Sequence, residues 1–357
     1  MSTDVLVVGG GIAGLTTALA AAERGLRVLV LDTARPGAAS RTAAGMLAPS
    51  LEGLPGAVRE VAIAARDAYP TFLAGLRERT GVDVPLDRNG IIELAESSQD
   101  LDVFARRAGP GAEVLDHASL ARLEPAFAAH PGAVLHPHDG SVHNVELMRA
   151  LDLAVERTPG VSRRAASVVA IDLSREGPVA LTADGGRIEA ASLLLAAGVW
   201  MNEVAGLPRP FPVRPVRGQL LTLDRRVVLH VTYGGGGYLV PRGNTLLIGA
   251  TSEDAGLEVA TTALAADALR AIAARAATAL RGARVVEHWA GLRPMSPDSM
   301  PVLGADPADT RVVYAGGFSR NGILFAPWAA SQLAALLAGE RPAAALDLFS
   351  IARFALP

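Results

Sequence analysis

The chain has 357 residues, half of them apolar, with 33 basic and 36 acidic side chains and no cysteine. That length carries one large or two intertwined domains around a well-buried core. Balanced charge without a basic stripe or acidic tail argues against nucleic acid as a partner, and the missing cysteine rules out disulfides, thiolate metal sites, a cysteine nucleophile and a cysteinyl-linked cofactor.

The chain opens MSTDVLVVGGG, with no basic n-region before the first apolar run, so no secretory leader is expected and the cytoplasm is the default compartment. No apolar stretch of spanning length lacks a charge or a Gly/Pro break, so no membrane association is expected. The histidines do not cluster, so no metal is expected. Asp4 to Val8 is a short continuous apolar run, predicting a buried parallel strand. Gly9, Gly10, Gly11, Ile12, Ala13 and Gly14 follow. Leu15, Ala18, Leu19 and Ala22 then recur at helical spacing up to Gly25. Arg27 to Leu31 predicts a second strand, ended by Asp32.

This is strand, glycine turn, helix, strand, acid, with GxGxxG at Gly9, Gly11 and Gly14 and the acid 23 positions after Gly9. Gly9 permits the tight turn, Gly11 lets a pyrophosphate approach the backbone, and Gly14 lets helix and strand pack closely. The open N–H groups of the helix start favour phosphates, and Asp32 can accept from a ribose. The pattern predicts dinucleotide binding. An acid after the second strand argues against a 2′-phosphate but does not separate NAD from FAD. Ala38 to Pro49, AASRTAAGMLAP, favours FAD. It is an irregular run of small residues suited to lie along an extended cofactor, where a nicotinamide dehydrogenase continues with regular strand–helix alternation.

Further on, Ala191 to Trp200 reads as a strand ending in Ala-Ala-Gly-Val-Trp. Residues 220–233, 237–242 and 244–252 alternate as antiparallel strands do. Gly234 to Gly237 reads as a floppy loop with no side chains. Thr262 to Leu280 predicts an amphipathic helix marked by Leu264, Leu269, Ile272 and Leu280. Arg217 and Arg242 read as structural, and Asp298 as a turn residue. Near the end, GGFSRNGILFAPW (Gly316 to Trp328) places glycines, Arg320 and Asn321 at a helix start, a place where exposed N–H groups stabilise negative charge. No internal repeat or disordered linker is evident.

With these pieces in order, the sequence resembles the D-amino-acid oxidase and glycine oxidase family of FAD flavoproteins, its thiamine-biosynthesis branch most of all. The matching segments are VVGGGIAG, AAGMLAP, NGIIELA, LLLAAGVW, VRPVRGQLL, YLVPRGNTLLIGATSEDAG, AGLRPMSPDSMPVLG and RNGILFAP. The resemblance implies an α/β fold: a Rossmann-type FAD-binding domain (1–80, 141–214 and 289–357) interleaved with an antiparallel-sheet substrate domain (81–140 and 215–288). It implies noncovalent FAD, contacted by Gly9, Gly11, Ile12, Ala13, Gly14, Asp32, Thr33, Ala39, Ser40, Ala44, Gly45, Met46, Val168 and Gly198. The last-helix segment adds Phe318, Ser319, Arg320, Asn321, Gly322, Ile323 and Leu324.

Arg293 matches the family's carboxylate-binding arginine, and a planar guanidinium fork suits that group. Tyr238 matches the tyrosine that adds a hydrogen bond, and Arg320 also reaches the substrate. The implied reaction is deamination of glycine, sarcosine or a D-amino acid by hydride transfer to FAD. The products are an oxo acid, ammonia and hydrogen peroxide, or a glycine imine for thiamine thiazole synthesis. Dioxygen and a small amino acid are the expected partners of a homo-oligomer. Three rivals stand beside this reading: a dehydrogenase passing electrons to another carrier, a tRNA-modifying flavoprotein disfavoured by the net charge of −3, and a noncatalytic FAD subunit disfavoured by the carboxylate clamp. The sequence departs from the family pattern at Phe318, where a histidine is usual, at Ser319, where an aromatic is usual, and at Gly236, where a larger group is usual. The last departure predicts a pocket roomier than glycine needs.

Overall fold

A computed structural model describes residues 3–354. Residues 1–2 and 355–357, the ends of the expected FAD-binding domain, lie outside the described residues. The opening strand is Thr3–Val8, and Val5 to Val8 are all buried: Val5 and Val7 pack under the helices Ile12–Ala22 and Gly322–Leu337, and Leu6 and Val8 pack against the ribbon strands Val168–Asp172 and Val179–Thr182 with Met201 and Phe211. It pairs in parallel with Val28–Asp32 on one side and Arg187–Leu195 on the other, with the helix Ile12–Ala22 as the first crossover. Outward, Val161–Ala165 joins Val28–Asp32, and Val312–Gly316 joins Arg187–Leu195, both in parallel; Val302–Ala305 closes that edge antiparallel. Arg187–Leu195 serves two sheets. Its first residues alternate exposed and half-buried in a ribbon with Val179–Thr182, and its last three are fully buried between parallel neighbours.

The second sheet has the order Val285–Met295, Arg214–Leu223, Thr245–Gly249, Gly237–Arg242, Val231–Gly234, Ile91–Leu94, Gly132–His136, Glu113–Asp116. It is antiparallel except where Val231–Gly234 meets Ile91–Leu94 in parallel, the seam between its two chain segments. The run 220–233 is therefore two strands. Between them the chain turns where buried Glu124 accepts the N–H groups of Leu229 and His230, each at 2.7 Å.

Two other expectations change. Gly234 to Gly237 form a tight hairpin. Gly234 and Gly237 pair across it, and Gly235 and Gly236 take φ of +63° and +82°, as a two-residue type I′ turn requires. Arg275 fixes the turn by donating to the Gly235 carbonyl at 2.5 Å. The amphipathic helix is Ala263–Ala276, capped by Thr262, and a 3-10 turn at Thr278–Leu280 follows. Its buried stripe is Ala265, Leu269, Ile272, Ala273 and Ala276. Leu264 lies off that stripe and is 82% exposed.

His136 ends a strand, is buried, and has no hydrogen bond at either ring nitrogen among the described residues. Burial lowers its pKa below the usual value; the Arg107 and Arg59 cations act in the same direction and Asp139 opposes them. A folded-state pKa below the unfolded value of about 6.5 means that protonation favours unfolding, so this contribution to stability is lost as pH falls through that region. His136→Gln should therefore lose less Tm than the parent between about pH 7 and 5. Parallel Tm–pH curves for the two proteins would contradict that linkage.

Candidate active site

A single long cavity lies between the two sheets, and it begins at the glycine turn. Gly9 has φ +111°, and a Cβ there would strike the Ala196 carbonyl. A Cβ on Gly14 would strike the carbonyl of Gly9, so helix and turn rest directly on each other. Gly10, the glycine between the motif positions, leaves the space that the Asp32 carboxylate fills. Gly11 is the N-cap of the first helix and offers no side-chain cap, while Ile12 N–H donates to Ser40 Oγ at 2.9 Å. The other first-turn N–H groups have no partner one turn back and remain available to an anion.

Asp32 ends its strand at the cavity, but it is not alone. Arg163, on Val161–Ala165, pairs with its Oδ2 at 3.0 Å and with Asp152 at 2.8 Å. This partner is not readable from the residues around Asp32, because strand order is not written in local spacing. Thr33, Ala39, Ser40, Ala44, Gly45, Met46, Val168 and Gly198 line the cavity along with Gly9, Gly11, Ile12 and Ala13. The stretch expected to be irregular contains a helical turn, Ala39–Thr42, and a two-residue strand, Met46–Leu47. Trp289 ties it down by donating to the Thr42 carbonyl at 3.0 Å. Arg242 does the same from the hairpin, bonding the carbonyls of Ala44 (2.5 Å) and Val142 (3.1 Å); burial depresses its pKa to about 10.

At the other end lies the helix Gly322–Leu337, whose N-cap Asn321 makes no side-chain cap. Tyr69 donates to the Ile323 carbonyl at 2.5 Å, Ser319 N–H to the Pro294 carbonyl at 2.9 Å, and Ser319 holds φ +54°. Phe318, Ser319, Arg320, Gly322 and Ile323 line the cavity. Gly14, Asn321 and Leu324 stand behind the wall; Leu324 is fully buried in the core beneath it. Arg320 is exposed and makes no hydrogen bond or ion pair among the described residues.

Tyr238 and Arg293 meet between these two ends. Arg293, on Val285–Met295, lays its guanidinium against the bare backbone of Gly218, and its Nη1 donates to the Thr251 carbonyl at 3.0 Å. The Tyr238 ring covers Gly249 and stacks on Tyr233 at 6.4 Å between centroids. Burial raises the Tyr238 phenol pKa, and the cation and hydrogen bond of Arg293 work against that rise. Gly218 and Gly249 are thus part of the clamp, although neither is distinguishable from other strand glycines by sequence. Arg217 faces away, paired with Glu253 at 2.6 Å and Glu258 at 3.1 Å, and Asp298 sits in its turn bonded to Met300 N–H at 3.1 Å.

Two open helix N-termini facing one extended cavity fit a cofactor with a pyrophosphate near one end and a charge-accepting ring at the other. The fold and site define a flavin-dependent oxidoreductase. Residues 4–336 match the FAD dependent oxidoreductase (DAO) family, and the chain belongs to it; its cofactor is FAD. The expected resemblance to glycine oxidases holds. The chain is 32% identical to the glycine oxidase of Geobacillus kaustophilus over 98% of its own length and 97% of that protein. The crystal structure of glycine oxidase from that organism superposes with a TM-score of 0.93, at 29% identity and 99% coverage of both chains. It is also 33% identical to the bifunctional protein ThiO/ThiG of Synechocystis sp., over 99% of this chain but 54% of the relative; the chain spans about half the length of such bifunctional relatives. No helix among the described residues is long and apolar enough to cross a membrane.

Proposed function

We propose that this enzyme deaminates a small amino acid, glycine or sarcosine first, with dioxygen as second substrate. The observation that carries the reading is the pairing of Arg293 and Tyr238 in the cavity that also holds the dinucleotide cradle. Arg293 takes both oxygens of the substrate carboxylate and Tyr238 adds a hydrogen bond, which fixes the α-carbon over the cofactor end of the cavity. The open N-terminus of Gly322–Leu337 favours negative charge at that end. FAD, when bound, supplies the hydride acceptor and passes the electrons on to dioxygen as hydrogen peroxide. With no cysteine in the chain, no cysteinyl bond can hold it.

The named relatives support the substrate class, and the bifunctional ones support a role in thiamine synthesis. The Gly234–Gly237 turn is fixed by Arg275 but brings no side chain to the cavity at Gly236, so small D-amino acids stay in the panel beside glycine and sarcosine, which the named relatives put first. The division into a cofactor domain (1–80, 141–214, 289–357) and a substrate domain (81–140, 215–288) belongs to this proposal. The mainly parallel sheet draws on the cofactor segments and the large antiparallel sheet on the substrate segments, apart from Val285–Met295 and Arg214, which cross the boundary, while a small sheet of Met46–Leu47, Gly140–Val142 and Leu86–Asp87 joins the two sets. A cytoplasmic homo-oligomer is the working form under this reading. The test is anaerobic flavin bleaching with glycine, sarcosine and small D-amino acids, followed by peroxide assay under air. Bleaching with matching peroxide is expected. Bleaching without peroxide would make the protein a dehydrogenase, and no bleaching by any of them would end the reading.

A further inference from the structure

Three acids line the cavity: Asp32, Glu52 and Glu203. Asp32 is paired with Arg163 at 3.0 Å and Glu203 with Arg35 at 2.5 Å. Glu52 alone of the three has no hydrogen bond or ion pair at its carboxylate among the described residues. Its backbone is nevertheless firmly placed. Its own N–H donates to the Ala48 carbonyl at 3.1 Å, and the N–H groups of Ser50 and Leu51 donate to Asp139 Oδ2 at 3.0 and 3.2 Å. Asp139 is fully buried and paired with Arg66 at 3.0 Å. A carboxylate delivered to a cavity by such a scaffold, and then left unpaired there, is suited to a cationic group of the substrate.

Resting on the proposed function, we infer that Glu52 accepts the proton the substrate's ammonium loses before its α-hydrogen can leave. An amino acid enters as the ammonium near neutral pH, and that nitrogen has no lone pair to push the hydride out. Transfer breaks one N–H bond and forms one O–H bond on Glu52. The freed lone pair then becomes the C=N bond as the α-hydrogen leaves with its electron pair to FAD. The charged groups that act on Glu52 are Arg320 before the last helix and Asp139, itself paired with Arg66 behind the loop; Arg293 and Tyr238 line the same cavity. Burial raises the Glu52 pKa, Asp139 adds to the rise, and Arg320 opposes it. The group is a stronger base than a solvated carboxylate, as general-base work near neutral pH requires.

The test compares Glu52→Gln and Glu52→Asp with the parent holoenzyme. Acetate, which fits the carboxylate clamp but carries no amine, should perturb the flavin spectrum with the same Kd in all three. Glycine should reduce the flavin of Glu52→Gln about 10²-fold more slowly at neutral pH, with the rate recovering as pH rises toward the amine's own pKa. Glu52→Asp should fall between. A Glu52→Gln variant with parental rate and pH profile overturns the inference. So does one in which acetate binding weakens as much as reduction slows, because Glu52 would then only shape the clamp. If glycine, sarcosine and small D-amino acids all fail to reduce the parent flavin, it is the proposed function that has failed.

Discussion

Arg293→Lys is expected to raise KM for the amino acid by about 10²-fold while the flavin stays bound. Hydrogen bonds to charged groups contribute about 1.5–3 kcal/mol each, and every 1.4 kcal/mol is tenfold, so losing one tine of the fork gives roughly 10 to 10². Two further losses push toward the upper end. The guanidinium lies flat on Gly218 and is steered by the Thr251 carbonyl, and an ammonium point charge can exploit neither contact in the same way. The effect belongs in substrate binding, so a single-turnover reduction titration should show a raised Kd with a smaller change in the limiting rate. Tyr238→Phe removes one hydroxyl and should cost about tenfold, the value of one weaker hydrogen bond. Normal turnover by Arg293→Lys would move the carboxylate to Arg320, the other cation at this end of the cavity.

If Asp32 accepts from the ribose as proposed, Asp32→Ala should weaken FAD binding by roughly one to two orders of magnitude, the worth of a hydrogen bond to a charged group. Arg163 makes the change worse. With Asp32 gone it keeps only Asp152, and a cation faces the ribose where an acceptor stood. Arg163→Ala should cost less, because Asp32 then keeps its acceptor oxygens and loses only their orientation. A flavin titration of both variants separates the roles. Undiminished affinity in Asp32→Ala would mean that Asp32 serves Arg163 and the turn at Ala34 rather than the cofactor.

The nucleotide end was legible because its logic is local. Strand, turn, helix and acid follow one another within Asp4 to Asp32; Gly10 and Gly14 answer to neighbours in that stretch, Gly9 to Ala196 just past the strand ending at Leu195, and Gly11 to Ser40 shortly after Asp32. The clamp was legible only through resemblance, since Arg293 and Tyr238 lie far apart in sequence, stand on strands with two others between them, and meet over the bare glycines Gly218 and Gly249 of those two strands. Glu52 was not legible at all. In LEGLPG it reads as a loop acid, and its setting depends on Asp139, which arrives from a different segment. The four glycines misled for a related reason. Composition suggests slackness, but the positive φ values they permit are what a tight hairpin needs, and the arginine that holds the hairpin comes from a helix forty residues on.

The strand Val285–Met295 has a metrical consequence. On either side of Arg293 its backbone is bonded to cofactor-lining segments: Leu292 N–H donates to the Gly37 carbonyl at 2.9 Å, and the Pro294 carbonyl accepts Ser319 N–H at 2.9 Å. The Arg293 guanidinium is therefore mounted on the same frame as the segments that line the cofactor cavity, and the two halves cannot swing apart at this point without breaking those bonds. Under the proposed function the molecule is a fixed gauge, set to one carbon from carboxylate to reacting hydrogen. A β-amino acid, one methylene longer, would still be gripped by its carboxylate, but the carbon bearing its amine would overshoot the mark, so discrimination between α- and β-amino acids is set by backbone hydrogen bonds rather than by the volume of the pocket.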